Sequence, residues 1–293
     1  MLGTWLLGGT AGIAKATTYT TSFPLDEESI SEGGNWIGGG TEGIDWSDVA
    51  VVDNMAICTV DGSQNPAYDD STAILTGTWG SNQTVTATLY ITNQAAIGYP
   101  EAELRLRSAI SPYNCTGYEI LYSLKNDASC YIGIVRWNGD YGDFTPLASI
   151  AGAQYVSTNG STLKATVVGS TITAFLNGVQ VCQADDTTYT NGSPGMGFDI
   201  DSSDTDQNGT FGFTHFTATD EQPVVLVPTY QNGQFGFSFD TVAGKNYFIL
   251  QFTNLAAADR GNYTIVSGTG APYQFICPAT NSQPASFFRL LIP

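Results

Sequence analysis

With 293 residues, nine Lys and Arg against 27 Asp and Glu, and a formal charge of −18, the chain would meet nucleic-acid phosphate or an anionic membrane surface against its own field. That excludes nucleic acid as a partner and leaves neutral glycans and cations. Apolar residues are 42% of the sequence, too many for a disordered chain, and the length suits two domains or one large β domain with an appendage.

Residues 1–16 read MLGTWLLGGTAGIAKA, an apolar run ending in Ala14-Lys15-Ala16. This is the cleavage pattern of a secretory signal without its basic start, so a secreted or cell-surface protein is expected. No later apolar run reaches the length of a membrane span. The five cysteines, Cys58, Cys115, Cys130, Cys182 and Cys277, have no CxxC spacing, which gives zinc and thioredoxin chemistry no support. Export favours disulfides, and an odd count leaves at least one cysteine free or paired between chains; the competing reading has all five as small buried hydrophobes.

A first strand is expected at 17–23, followed by an acidic, glycine-rich loop over 26–43 that carries Trp36, with Trp46 close behind. Strands follow at 49–52, 55–60, 72–78 and 85–91, separated by turn clusters such as DGSQNPAYDD and GSNQ. The stretch 101–139 then holds three strand-like runs, 103–110, 118–124 and 131–137. In the first, Ala102, Leu104 and Leu106 alternate with Glu103, Arg105 and Arg107, the pattern of a strand with one apolar face. A turn at 125–128 joins the next two runs into a hairpin. Its simplest register sets Tyr118 opposite Val135, which puts Glu119 and Arg136 on one face. Joined with Arg105 and Arg107, these make a sheet centre of one carboxylate and three guanidinium groups; the competing reading is an ion-pair ladder of Glu103, Arg105, Arg107, Glu119 and Arg136 across neighbouring strands that needs no ligand. Further strands are expected at 141–150, 161–168, 171–176 and 179–183, the last two joined by Asn177-Gly178, and at 195–201 and 210–219. Residues 220–228 form a linker, and 229–293 alternate at Phe235, Phe237 and Phe239 and again over 247–252.

The order GYEI, IVRWNG, LKATVVGSTITAFLNGVQV, PGMGFDI, FGFTHFTATD resembles the laminin-G-like and concanavalin A-like jelly rolls of secreted bacterial proteins, over residues 17–219. The resemblance implies an all-β fold of two curved antiparallel sheets, the concave one often binding or cutting glycans, and no single activity. The tail, GQFGFSFDTVAGKNYFILQFTNL with the terminal FFRLLIP, resembles the small β-sandwich modules that end many secreted proteins of soil bacteria.

Asp204-Thr-Asp206-Gln-Asn208-Gly matches the first half of a calcium loop, with oxygen ligands at alternate positions and a glycine at the sharp turn. His215 stands where the bidentate Glu belongs, so the competing reading is an acidic turn held by its own hydrogen bonds. Retaining hydrolysis needs paired carboxylates, and the Glu-x-Asp-x-Glu strand of laminarinase-type jelly rolls is absent because Arg105 follows Glu101 and Glu103 on the same face. Glu103-Leu104-Arg105 is similar to part of a jelly-roll alginate-lyase strand, without that family's catalytic His. His215 is the chain's single histidine and reads as a structural or edge residue, which weakens any Ser-His-Asp arrangement. Several aromatics, Tyr113 and Tyr141 among them, could stack on sugar rings from loops, although aromatics in a sandwich are more often core; Trp36, Trp46 and Tyr141 sit among Gly, Asn and Asp and are expected at a rim.

The expected function is therefore a lectin-like binder of a polysaccharide or glycan, with Arg105, Arg107, Glu119 and Arg136 as polar contacts on the concave sheet, Trp36 and Trp46 as stackers, and calcium at Asp204, Asp206 and Asn208. Two other classes compete. One is a lyase or hydrolase on acidic glycans; the other is a self-assembling adhesin, surface-layer or filament subunit.

Overall fold

The computed structural model describes residues 17–60, 70–92, 100–200, 208–220, 226–231, 234–241, 246–252, 263–277 and 287–291. The chain divides into two units, Lys15–Gln222 and one that holds Pro223–Pro293. The first carries β1 (Thr18–Thr21), β2 (Trp36–Gly38), β3 (Ala50–Val52), β4 (Met55–Ile57), β5 (Ser71–Leu75), β6 (Gln83–Ile91), β7 (Glu101–Ser111) and β8 (Asn114–Ser123). It continues with β9 (Tyr131–Gly139), β10 (Phe144–Ala151), β11 (Thr162–Val168), β12 (Thr171–Leu176), β13 (Val179–Asp185), β14 (Ser193–Asp199) and β15 (Phe211–Thr219). Among the described residues there is no α-helix, only a five-residue π-turn and a three-residue 3-10 turn.

These strands form two antiparallel sheets. Sheet I has the order β13-β12-β11-β6-β15-β4-β3, with β1 also on β15, and sheet II the order β10-β9-β8-β7-β14-β5-β2. The chain changes sheet at β1-β2-β3, β4-β5-β6-β7, β10-β11 and β13-β14-β15, so the fold is an all-β jelly-roll sandwich. Alternation decides what each strand buries. In β6, Val85, Ala87 and Leu89 join the core while Thr84, Thr86 and Thr88 face outward. Asn177 (φ 51) and Gly178 (φ 81) both take positive φ in the β12–β13 turn, as a two-residue hairpin requires.

The second unit is a small sandwich of two three-stranded sheets. Its strands are β16 (Val227–Gln231), β17 (Gln234–Asp240), β18 (Asn246–Phe252), β19 (Tyr263–Ser267), β20 (Pro272–Ile276) and β21 (Phe287–Leu291), ordered β16-β17-β20 and β19-β18-β21. Phe237, Phe239, Tyr247, Ile249 and Val266 form its core.

Three expectations change. The β8–β9 register pairs Tyr118 with Arg136 and Glu119 with Val135, one residue from the simplest hairpin, so Glu119 and Arg136 lie on opposite faces. Trp36 lies in a strand, β2, opposite Leu75, and not in a loop. Cys58, Cys115, Cys130 and Cys182 are separate buried thiols. Burial pushes the Cys58 thiol up to about 12 and the Cys115 thiol up to about 11, which keeps both protonated and unreactive. The 1–16 segment lies outside the described residues.

Candidate functional site

The centre of sheet II, β7 and β8, is buried on both faces. Its inner face packs Leu104, Leu106, Tyr118, Ile120, Ile132 and Ile134 into the main core. Its outer face carries Glu101, Glu103 and Arg105 of β7, Glu119 of β8, and Val135 and Trp137 of β9, because Arg105 pairs with Glu119 and Glu119 with Val135. A glycine-rich strap, 39–46, lies against this face. Gly39–Gly43 forms the π-turn, closed by Ile44 N–H to the Gly39 carbonyl at 3.0 Å, and delivers Trp46 edge-on to Trp137 with ring centroids 5.8 Å apart.

Beneath Trp46 and Trp137 lies a buried ion cluster. Arg105, 1% exposed, sets one guanidinium nitrogen 2.5 Å from Glu119 Oε2, 3.0 Å from Glu103 Oε2 and 3.6 Å from Asp70 Oδ2. Trp137 donates its indole N–H to the same Glu119 oxygen at 2.8 Å. Oxygens of Asp70, Glu103 and Glu119 lie within 4.8 Å of one another, a spacing suited to a metal ion, but the guanidinium already sits among them as counter-ion. One cation does not balance the cluster. Burial, and then the charges of Glu119 and Asp70, hold the carboxyls of Glu103 and Glu101 well above the usual carboxylate range. Glu101 also accepts a hydrogen bond from the Tyr131 hydroxyl. Burial works against the Arg105 charge, yet Glu119 and Glu103 outweigh it and raise its pKa.

The sheet is crowded enough to dictate a glycine. A Cβ on Gly197 would stand 2.3 Å from Glu103 Oε2 and 3.1 Å from Arg105 Nε. Arg105 Nε, Trp46 Nε1 and Thr72 Oγ1 are buried without a hydrogen-bond partner among the described residues.

The expected four-residue polar site is not one site. Arg105 and Glu119 meet; Arg107 and Arg136 are elsewhere. A bulge between Leu106 and Ala109 turns Arg107 (φ 49) out of the alternation, and its side chain donates to the carbonyls of Ser81, Tyr189 and Gly169 at 2.7–2.8 Å. Arg136 shares the Tyr118 side and bonds Asp186 at 2.6 Å. Neither tryptophan is a free stacking surface. Trp36 packs in the core against Phe216, and Trp46, 1% exposed, is held between Trp137 and Tyr141. Large rings gain more by filling the sandwich than by facing water. His215 is exposed on β15 beside a bulge. Of the calcium-loop residues, Asp204 and Asp206 lie outside the described residues, and Asn208 donates its amide to the Val60 carbonyl at 2.7 Å.

The exposed groups nearest the cluster line a rim where three turns converge. The β7–β8 turn is Pro112-Tyr113, and the Tyr113 N–H bonds the Gly43 carbonyl of the strap at 2.8 Å. Cys115 pairs with Gly139, which brings Asn114 beside the β9–β10 turn of Asp140, Tyr141 and Asp143. Tyr141 leans on Trp46 with ring centroids 5.1 Å apart. Tyr113 is 59% exposed and Ile44 43%. Sequence reading passed over Asp70 and Ile44, and named Tyr113 only as one of several aromatics able to stack on a sugar ring. The dipeptide Pro112-Tyr113 was the one signal for the turn.

No protein-family model matches the chain, and no curated protein matches it. Among solved structures, the carbohydrate-binding module CBM66 from Bacillus subtilis is similar at 16% identity, over 64% of this chain and 92% of that chain, with a TM-score of 0.43. The potassium-bound carbohydrate recognition domain of Emp46p is similar at 14% identity, over 64% and 90%, with a TM-score of 0.44. The metal-free lumenal domain of VIP36 is similar at 11% identity, over 70% and 92%, with a TM-score of 0.46. Likenesses this distant decide nothing about what this chain binds.

Proposed function

We propose that the first unit binds a carbohydrate at the rim formed by the strap and the two turns of sheet II. The observation that carries this reading is strain paired with exposure. Ile44 (φ 72, ψ −46) centres a three-residue turn closed by Asp45 N–H to the Gly43 carbonyl at 2.9 Å, a rare conformation for any side chain and worse for a β-branched one. Tyr113 (φ 62) occupies the second central position after Pro112, where such turns normally take glycine or asparagine. Each costs on the order of 1–3 kcal/mol. Packing recovers that cost only in part, since Tyr113 is 59% exposed and Ile44 43%.

An exposed tyrosine face can stack on the apolar face of a sugar ring, and Asn114 with the neighbouring Asp140 of the β9–β10 turn offers polar groups for its hydroxyls. The buried cluster supports this arrangement. Glu119 orients Trp137, Trp137 meets Trp46, and Trp46 backs Tyr141. The test is a glycan array on the full chain and on Tyr113→Ala. Wild-type hits that vanish in the variant support the rim. Retention of the same hits by the variant, or an array without hits, sinks it.

A further inference from the structure

The β1–β15 ladder ends on a buried charge. Its last Cα pair is Thr18 with Thr219, and one residue further the Asp220 N–H donates to the Thr17 carbonyl at 3.1 Å. The Thr17 backbone nitrogen in turn donates to Asp220 Oδ1, while the Gly80 N–H, between β5 and β6, donates to Asp220 Oδ2 at 2.6 Å. Asp220 is 4% exposed, and none of the ion pairs among the described residues includes it. Neutral amides offset the desolvation of a carboxylate less well than a cationic donor, whose hydrogen bonds are roughly twice as strong.

The sequence points to the same place by a separate route. Ala14 and Ala16 stand three places and one place before Thr17, the small-residue spacing that marks a cut between Ala16 and Thr17. In a continuous chain the Thr17 nitrogen is an amide. At a new chain start that nitrogen is an ammonium at neutral pH, bringing a unit charge and three donors to an atom already aimed at a buried carboxylate.

We propose that the Ala16–Thr17 peptide bond is a processing site for a signal-type peptidase, and that its hydrolysis creates a structural ion pair between the Thr17 α-ammonium and Asp220. The C–N bond breaks as water adds. The water oxygen leaves in the Ala16 carboxylate, and both its hydrogens turn the Thr17 N–H into the ammonium. The pair then ties the start of β1 to the end of β15 and to the turn before β6. Thr17 itself is exposed, so solvent screens part of the gain, which is on the order of fivefold in the unfolding equilibrium.

Two measurements test this. The full chain is expressed in a secreting host and the N-terminus of the exported protein is read by intact mass and terminal sequencing. Thr17 is expected as the first residue; a retained leader, a cut elsewhere or failure to export overturns the processing site. Thermal melts then compare a chain released from a fusion partner to begin at Thr17 with one that begins at Ala16, in which the same nitrogen is an amide. The Thr17 start should melt about 2–4 °C higher, and Asp220→Asn should erase the difference between the two starts. Equal melting of the two wild-type starts overturns the ion pair, and a difference that persists in Asp220→Asn overturns Asp220 as its partner. If Asp220→Asn does not fold, selective N-acetylation of the Thr17 start decides, because it keeps the N–H and removes the charge. A fall to the melting point of the Ala16 start supports the pair, and an unchanged melting point overturns it.

Discussion

Trp137 and Glu119 are joined by an indole N–H donated to the carboxylate oxygen at 2.8 Å, and that same oxygen is 2.5 Å from the Arg105 guanidinium. A surface-directed aromatic stack is thereby fastened to a buried charge. Each ion here has lost its water, so the cluster stabilises the fold only while its charges stay matched.

Arg105→Met removes the one guanidinium among Asp70, Glu103 and Glu119. Loss of one partner from a buried ion pair typically costs about 3–5 kcal/mol, and a thermal or denaturant melt should read a loss of that size. Adding Glu119→Leu should recover part of it, since an apolar pair avoids the desolvation. If the double variant is less stable than Arg105→Met alone, charge matching is not what holds the cluster.

Glu101 and Glu103 set the direction of the pH response. Burial, followed by the Glu119 and Asp70 charges, raises both folded-state pKa values above the unfolded ones. The folded state therefore binds protons more tightly than the unfolded state. The stability this contributes is complete below the unfolded carboxylate value and is lost as pH rises through the raised folded values. Denaturant melts from about pH 5 to about pH 8, the usual range of maximal stability, should show decline rather than a plateau. Glu103→Gln should flatten the decline, and a wild-type curve that rises with pH would contradict the assignment.

The strands and fold class were legible because alternation and turn chemistry agree. Residues 171–176 were marked by their own pattern and by Asn177-Gly178, and β12 has those bounds. The β8–β9 register was not legible. Leu121, Val135 and Trp137 make the outer face as apolar as Ile120, Ile132 and Ile134 make the inner one, so alternation could not tell the two faces apart. The turn also spends an Asx arrangement, with the Ser129 N–H and hydroxyl on Asp127 at 2.8 and 2.5 Å, which shifts the pairing by one residue. Arg107 was misplaced because a bulge leaves no compositional mark. Asp70 was missed because its partners come from strands distant in sequence.

Two small changes at the cluster should move stability in opposite directions. Gly197→Ala puts a methyl group 2.3 Å from Glu103 Oε2, an overpacking expected to cost about 1–3 kcal/mol. Thr72→Val replaces a fully buried hydroxyl, which has no partner among the described residues, by a methyl of similar shape. Relief of that desolvation should raise stability by about 1 kcal/mol. Equal melting points for both variants would mean that the packing and the bonding at this face are misdescribed.

Ile44 and Tyr113 give the sharpest separation of fold from function. Both hold positive φ, both are exposed, and both converge on the Gly43 carbonyl region of the strap. If the strain serves only the fold, glycine at either position should be neutral or harmful. If it is maintained for the rim, Ile44→Gly and Tyr113→Gly should each stabilise the chain by about 1 kcal/mol, because glycine adopts this backbone without a Cβ penalty. Tyr113→Gly should at the same time lose glycan binding. A chain that gains melting temperature and loses its ligand in one substitution has been carrying a strained residue for recognition. A destabilised Tyr113→Gly would instead show that the ring's contacts with the strap outweigh its backbone cost, and the rim would then be structural.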